Sequence, residues 1–347
     1  MTPTHPAEPP ATAVAAPRTT APRRALRAVA IAACLPYLAL KTAWLTGFHI
    51  GIPEGSELLT TEGETALFLL NALTVAMDAA VVALALALTL PRGRRLPAWL
   101  MLLPLWIATG LLAPIVLGFP FSVLLGVLGG RDGNAGRESA DFLDDWVFTL
   151  VYTGFGVQAL ALGALFALYV RDRWGPLLGG RLADLPDTPT APARRTGAVA
   201  AAVLALVPAA LHLTWAAGAT AGLPPGQAGQ RDAVFRLTEG MDALFAAAAA
   251  AGVLLLAFRT GAAGGVRLRT ATALAWTGSA ALTAGSGWML LADLANEGHV
   301  TRAQETTAPM ALAYAVEMVV GVLVLTVGAH LFAERSAERS AERAAGR

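Results

Sequence analysis

Charge is scarce in this sequence: Asp, Glu, Lys and Arg make up 14% of its 347 residues. A soluble domain carries roughly 25%, so a water-facing globule is excluded as the whole answer. Cysteine is all but absent. The single Cys34 excludes an intrachain disulfide and leaves no cysteine-based metal site. A net charge of +1 gives no electrostatic hold on nucleic acid, and no such partner is expected. Enzyme signatures are missing too: there is no His-Glu-x-x-His, no Gly-x-Ser-x-Gly and no glycine loop of the phosphate-cradling kind. No catalytic residue is therefore nominated, and no cofactor or metal is expected. His49 and His299, with Glu54, Asp145 and Asp293, are spaced as solvated loop residues rather than as a metal site. His212 and His330 fall toward opposite ends of their helices, which argues against a membrane haem.

What the sequence has instead is apolar length. Hydrophobic residues make up 56% of the chain, with mean hydropathy +0.58, and they gather in runs of about 20, enough to cross about 30 Å of hydrocarbon. Eight such segments are read at 26–47, 65–90, 98–118, 144–170, 197–218, 233–258, 270–292 and 308–333. The expected fold is an all-α membrane protein of about eight transmembrane helices, with the lipid bilayer as its first partner. Residues 1–24, rich in Pro, Ala and Thr, read as a disordered tail. Arg23, Arg24 and Arg27 precede the first run, but that run continues well beyond Cys34, so it reads as an uncleaved helix.

The connections alternate in charge. Arg92, Arg94 and Arg95, then Arg171 to Arg195, then Arg259, Arg267 and Arg269, and finally Arg335 to Arg343 mark every second one. The intervening connections carry Glu54, Glu57, Glu62, Glu64, Asp141, Asp144, Asp145, Asp293 and Glu297. Arg-rich short loops stay cytoplasmic, so both termini are expected there, in a cell membrane. Arg131, Arg137, Arg231 and Arg302 depart from the pattern, each with an acid close by. Residues 171–196, rich in Pro, Gly and Arg, read as a cytoplasmic linker, and 334–347, a repeated Ala-Glu-Arg-Ser, as a charged tail that can prolong the last helix.

Two stretches of the chain match in order. Leu40, Trp44, Gly47, Gly51, Pro53 and Gly55 fall on Leu211, Trp215, Gly218, Gly222, Pro224 and Gly226; Thr74, Met77 and Asp78 fall on Thr238, Met241 and Asp242. Ala and Leu match by composition, whereas Trp, Pro and Asp in order do not. Two four-helix repeats are expected, at 25–170 and 197–333. An even number of helices per unit makes them parallel repeats about an axis along the membrane normal. The second copy, His212, Trp215, Ala216, Gly218 and Gly222, resembles the His-x-x-Trp-Ala-x-Gly-Gly signature of a family of small bacterial membrane proteins with no assigned function; Ala219 stands where that signature has its second glycine. The resemblance implies a membrane domain and supplies no activity.

Ionisable residues inside apolar helices are the candidate site. Each costs about 2.5–3.5 kcal/mol at a helix centre, so each needs a partner or water. They are Lys41, Asp78, His212, Asp242 and Glu317, and the match sets Lys41 against His212 and Asp78 against Asp242. The spacing predicts a Lys41–Asp78 pair and a His212–Asp242 pair, with Asn71, Thr74 and Asp78 on one helix face. Trp44 and Trp215 are read as interfacial anchors or as walls of a cavity. These charges suit a transporter-like protein, or one binding a small molecule or a proton. A non-catalytic scaffold or assembly partner is the alternative, and protein partners stay open.

Overall fold

The structure is a computed structural model, and it describes residues 20–54, 56, 61–128, 143–186, 188–229, 232–259, 261–295 and 306–345. The tail before residue 20, and Glu57, Asp141, Glu297 and His299, lie outside these residues. The described chain is all-helical: α1 (Ala21–Leu45), α2 (Thr61–Thr89), α3 (Ala98–Leu128), α4 (Asp145–Leu178), α5 (Ala191–Ala216), a short α6 (Pro225–Gly229), α7 (Ala233–Ala257), α8 (Leu268–Ala295) and α9 (Ala308–Ala345). Helix starts follow local chemistry. Pro22 and Pro192 occupy the first turns of α1 and α5, where a missing N–H costs nothing. Asp232 caps α7 by accepting from the Phe235 N–H at 2.8 Å.

Seven of these helices, all the long ones except α8, are long and apolar enough to cross a membrane. The chain is thus an integral, multi-pass membrane protein. Helix α8 is long enough, 28 residues or about 42 Å, but Thr270, Thr272, Thr277, Ser279, Thr283 and Ser286 lower its hydropathy. The neighbours explain this: α8 packs among α3, α7 and α9 rather than standing apart.

The segment 171–196 is not a free linker. Helix α4 continues to Leu178, α5 begins at Ala191, and the piece between is pinned. Leu182, fully buried, donates its N–H to the Val266 carbonyl (3.0 Å), and Arg259 donates to the Pro186 carbonyl (2.9 Å). The 334–347 tail continues α9 as helix up to Ala345. Helix α3 likewise runs past 118 to Leu128, because the apolar run continues there and Pro120 is accommodated inside it.

Corresponding contacts recur in the first and second sets of four long helices. Trp44 donates its indole N–H to Ile50 O (2.8 Å), and Trp215 to Ala221 O (2.9 Å). Phe48 N–H reaches Ala43 O, and Ala219 N–H reaches Thr214 O, both at 2.9 Å. Gly47 and Gly51 have φ of +88° and +75°, Gly218 and Gly222 of +103° and +84°. Only glycine adopts such values without strain, so the helices end in tight turns that the two indoles hold. At the arginine-rich end, Arg23–Asp172 (2.5 Å) joins α1 to α4, and Arg194–Glu334 (2.9 Å) joins α5 to α9.

Each set has its own apolar core. One gathers Ala30, Cys34, Leu84, Leu105 and Leu165; the other is dominated by alanines such as Ala198, Ala201, Ala246 and Ala249. Small residues let backbones close on one another where lipid gives no hydrophobic drive to association. A Cβ on Gly278 would collide with Ala249 and the Phe245 carbonyl, and one on Gly252 with Ala275, so α7 and α8 touch backbone to backbone. Ser279 and Thr283 back onto Gly321 of α9 in the same way.

The two sets meet at α3 and α8. Trp106 donates to Ser279 Oγ (3.0 Å), while Trp276 donates to Thr109 Oγ1 (3.1 Å). Between these bonds Gly110 lies directly against the Ala280 carbonyl. Trp276 of α8 packs into the core of the first set, and Ala113 of α3 into that of the second.

Candidate functional site

In the second set the polar residues converge. His212 lies one turn before the end of α5, with Trp215 three residues on and therefore on the same face. The two rings meet edge to face, 5.2 Å between centroids at 87°. His212 Nδ1 is 2.7 Å from Glu239 Oε2 of α7, and its Nε2 is 2.8 Å from Glu317 Oε1 of α9. Ser286 of α8 donates its hydroxyl to the other oxygen of Glu317. The imidazole, both carboxylates and the serine thus tie four helices at one point. Two hydrogen bonds from one ring to two carboxylates need two protons, whether on the ring alone or shared with one carboxyl. The Glu239–His212–Glu317 group therefore carries a net charge of −1 in either arrangement.

Asp242 is the next residue on the Glu239 face of α7, at i+3. It is not bonded to His212, contrary to the expected pair: Glu239 and Glu317 have taken both ring nitrogens. Asp242 hydrogen-bonds to none of the described residues, and it faces a cavity of about 850 Å³. His212, Glu239 and Glu317 line this cavity from one side, and Gly110, Leu111 and Pro114 of α3 from another. Phe235, Trp288 and Met289 add apolar surface to the lining, and Gln227, Gly229 and Asp232 from the α5–α7 connection also line it. Tyr314, one helical turn from Glu317 on α9, also lines it; the residue is 8% exposed and its hydroxyl bonds to no described residue. Trp215 lines the cavity and is 1% exposed; Trp44, at 6%, is buried with Leu40, Ile52 and Val147. Both indoles spend their N–H on the turn that follows their helix.

The first set arranges its charges differently. Lys41 Nζ donates to Asn71 Oδ1 at 2.7 Å, not to Asp78, and lies over the rings of Tyr37 (4.9 Å) and Trp44 (4.6 Å). Asp78, 3% exposed, is enclosed close to Gln158, and its Oδ2 has no hydrogen-bond partner among the described residues. Asn71 was placed on the polar face of α2 by spacing, and it captures Lys41 because it lies about two helical turns nearer the acidic end than Asp78. His330, near the arginine-rich end of α9, is exposed.

Of the five candidate residues, His212, Asp242 and Glu317 gather at the cavity; Lys41 and Asp78 stay in the first set. Glu239, Ser286 and Tyr314 complete the site. Glu239 is legible at i−3 from Asp242, a spacing that puts two acids on one face of an apolar helix. Among the described residues, no three His, Cys, Asp or Glu side chains are grouped to hold a metal ion. Comparison with family models, with curated proteins and with solved structures finds no match.

Proposed function

We propose that this membrane protein binds a small molecule or a proton in the cavity beside His212, and that it works in a transporter-like way. One observation carries the reading: His212 is held between Glu239 and Glu317 at the wall of a cavity into which Asp242 and Tyr314 project. A volume of about 850 Å³ lies in the range of small-molecule sites, which are mostly apolar with a few placed polar groups. In membranes such residues face a partner or a water-filled space, and mark ligand or proton paths.

The architecture belongs to the same proposal. Two four-helix units related by an axis along the membrane normal account for the recurring Trp-to-turn bonds, the matched Arg–carboxylate pairs and the reciprocal Trp106 and Trp276 bonds, in which equivalent positions exchange roles. Helix α8 is then the eighth crossing. The arginine-rich connections support a topology with both termini on the cytoplasmic side of a cell membrane. The His-x-x-Trp-Ala-x-Gly resemblance fits this setting, with the histidine and tryptophan in ring contact.

The test uses the single cysteine. In a Cys34→Ala background, Gly285→Cys adds a thiol to the cavity lining, where a Cβ meets nothing within 4 Å. A membrane-impermeant methanethiosulfonate is expected to label it from one side of intact vesicles. No labelling from either side, with the protein folded, removes the ligand-binding reading.

A scaffold or assembly partner is the second reading, and the first set favours it. There Lys41 is closed on Asn71, and an apolar groove of about 710 Å³ runs between α1 and α4, lined by Ala33, Pro36, Trp146 and Leu150.

A further inference from the structure

We infer that the ligand of this cavity is a small organic cation, an ammonium carrying an apolar body; the inference rests on the ligand-binding reading of the His212 cavity. Charge comes first. Among the described residues, Asp232, Glu239, Asp242 and Glu317 line the space and no Lys or Arg does, so His212 is the one cationic candidate among them. With His212 already committed to Glu239 and Glu317, the Asp242 carboxylate pairs with no cation of its own among the described residues. An anion is repelled from such a space, and a cation is drawn into it.

The shape of the lining selects among cations. No three ligating side chains are set to hold a metal among the described residues. Phe235, Trp288 and Met289 also line the space, a surface for hydrocarbon and for cation–π contact rather than for a hydrated ion. Tyr314 adds a hydroxyl with no hydrogen-bond partner among the described residues, which can accept one ammonium N–H while Asp242 accepts another.

The first set of helices shows the same chemistry already satisfied. The Lys41 ammonium lies over Tyr37 and Trp44 and bonds to Asn71, with the Asp78 carboxylate near enough to feel its charge without bonding to it. At the matching position the second set has His212, turned away onto its two glutamates, and an open space. A free ammonium there would meet what Lys41 meets as a tethered one: aromatic faces, a neutral polar oxygen and a carboxylate.

A lipid headgroup also carries an ammonium, but it brings a phosphate, which the four acids disfavour. The α5–α7 connection in the cavity lining suits a soluble amine.

The experiment is calorimetric titration of the full chain in uncharged detergent with phenethylammonium, set against the neutral isostere 2-phenylethanol and the anionic 3-phenylpropionate. Saturable binding of the cation, about tenfold or more tighter than either control, is expected. Asp242→Asn should weaken it by about tenfold, while Asp172→Asn at the arginine-rich end leaves it unchanged. The cation should also slow labelling of Gly285→Cys, a readout in a chain with all its acids intact. Equal binding of cation and neutral isostere overturns the inference. So does a Gly285→Cys that labels freely with no cation binding, in which case the cavity stands and its ligand class falls. Failure to label and failure to bind together remove both. Displacement by phosphatidylethanolamine, but not by phosphatidylglycerol, in nanodiscs would overturn the soluble-amine assignment.

Discussion

Trp106 of α3 donates to Ser279 of α8 across 3.0 Å, and the bond is returned a turn away by Trp276 and Thr109. The seam between the two sets of helices is therefore built from a pair of reciprocal contacts around the Gly110–Ala280 crossing. Interhelical polar contacts in a bilayer are worth about 0.6–2 kcal/mol each. Trp106→Phe should cost an amount in that range, and Trp106→Phe with Trp276→Phe about the sum. Gly110→Leu is expected to cost more, about 1–3 kcal/mol, because its side chain must enter backbone-packed space. Thermal unfolding in detergent checks the order. A Gly110→Leu protein as stable as wild type would show that α3 and α8 do not pack this way.

His212 holds two buried carboxylates, and its loss should be felt at both. His212→Phe keeps a ring of similar size but leaves Glu239 and Glu317 without their donor. Removing one partner of a buried ionic group costs about 3–5 kcal/mol. Glu239→Gln is milder, at about 1 kcal/mol, since its amide can still bond to Nδ1, the oxygen accepting or the N–H donating. Denaturant unfolding of the two variants separates them; equal stability would mean the three side chains are not hydrogen-bonded as a unit.

Much of the fold was legible because apolar runs and arginine-rich loops are one-dimensional signals. The eight long helices lie where the runs are, with ends displaced wherever an apolar or charged helix carries on, as at Leu128 and Ala345. The site was legible in part. His212, Asp242 and Glu317 stand out as charges in apolar helices, and they do come together. Their partners did not follow from spacing, since pairing depends on the rotation and depth of each helix against its neighbours. Glu239 lies close enough to the start of α7 to read as a loop-side acid, and Ser286 as one more small residue in a packing stripe. The Trp-x-x-Thr and Trp-x-x-Ser of α3 and α8 were present in the sequence, but only the crossing of the two helices makes them partners.

At the arginine-rich end, the two Arg–carboxylate pairs differ in burial, and their energies should differ with it. The Arg194 side chain is 2% exposed and its partner Glu334 17%, while Arg23 and Asp172 are 18% and 25% exposed. Arg194→Ala leaves Glu334 partly buried and uncompensated, and is expected to cost about 3 kcal/mol. Arg23→Ala, at a better-solvated pair, should cost about 1 kcal/mol or less, and that loss should shrink in high salt. Melting temperatures at low and high ionic strength give both comparisons. Equal losses would mean that solvent reaches Arg194 as readily as Arg23.

Helix α8 is the long helix with the weakest apolar signal, and whether it crosses the membrane can be tested directly. Its start is tied to the arginine-rich side, where Leu268 donates its N–H to Gly180 O at 3.2 Å. Its other end reaches Asp293, whose carboxylate accepts from Thr306 just before α9. In the Cys34→Ala background, Arg267→Cys should react with an impermeant thiol reagent only when the cytoplasmic face is open. Leu294→Cys, at a position 69% exposed, should react only from the opposite face. Opposite sidedness at the two ends makes α8 a crossing despite its serines and threonines, which α3, α7 and α9 shield from lipid. Labelling of both ends from one face would return α8 to the membrane surface, leave seven crossings, and put the two termini on opposite sides.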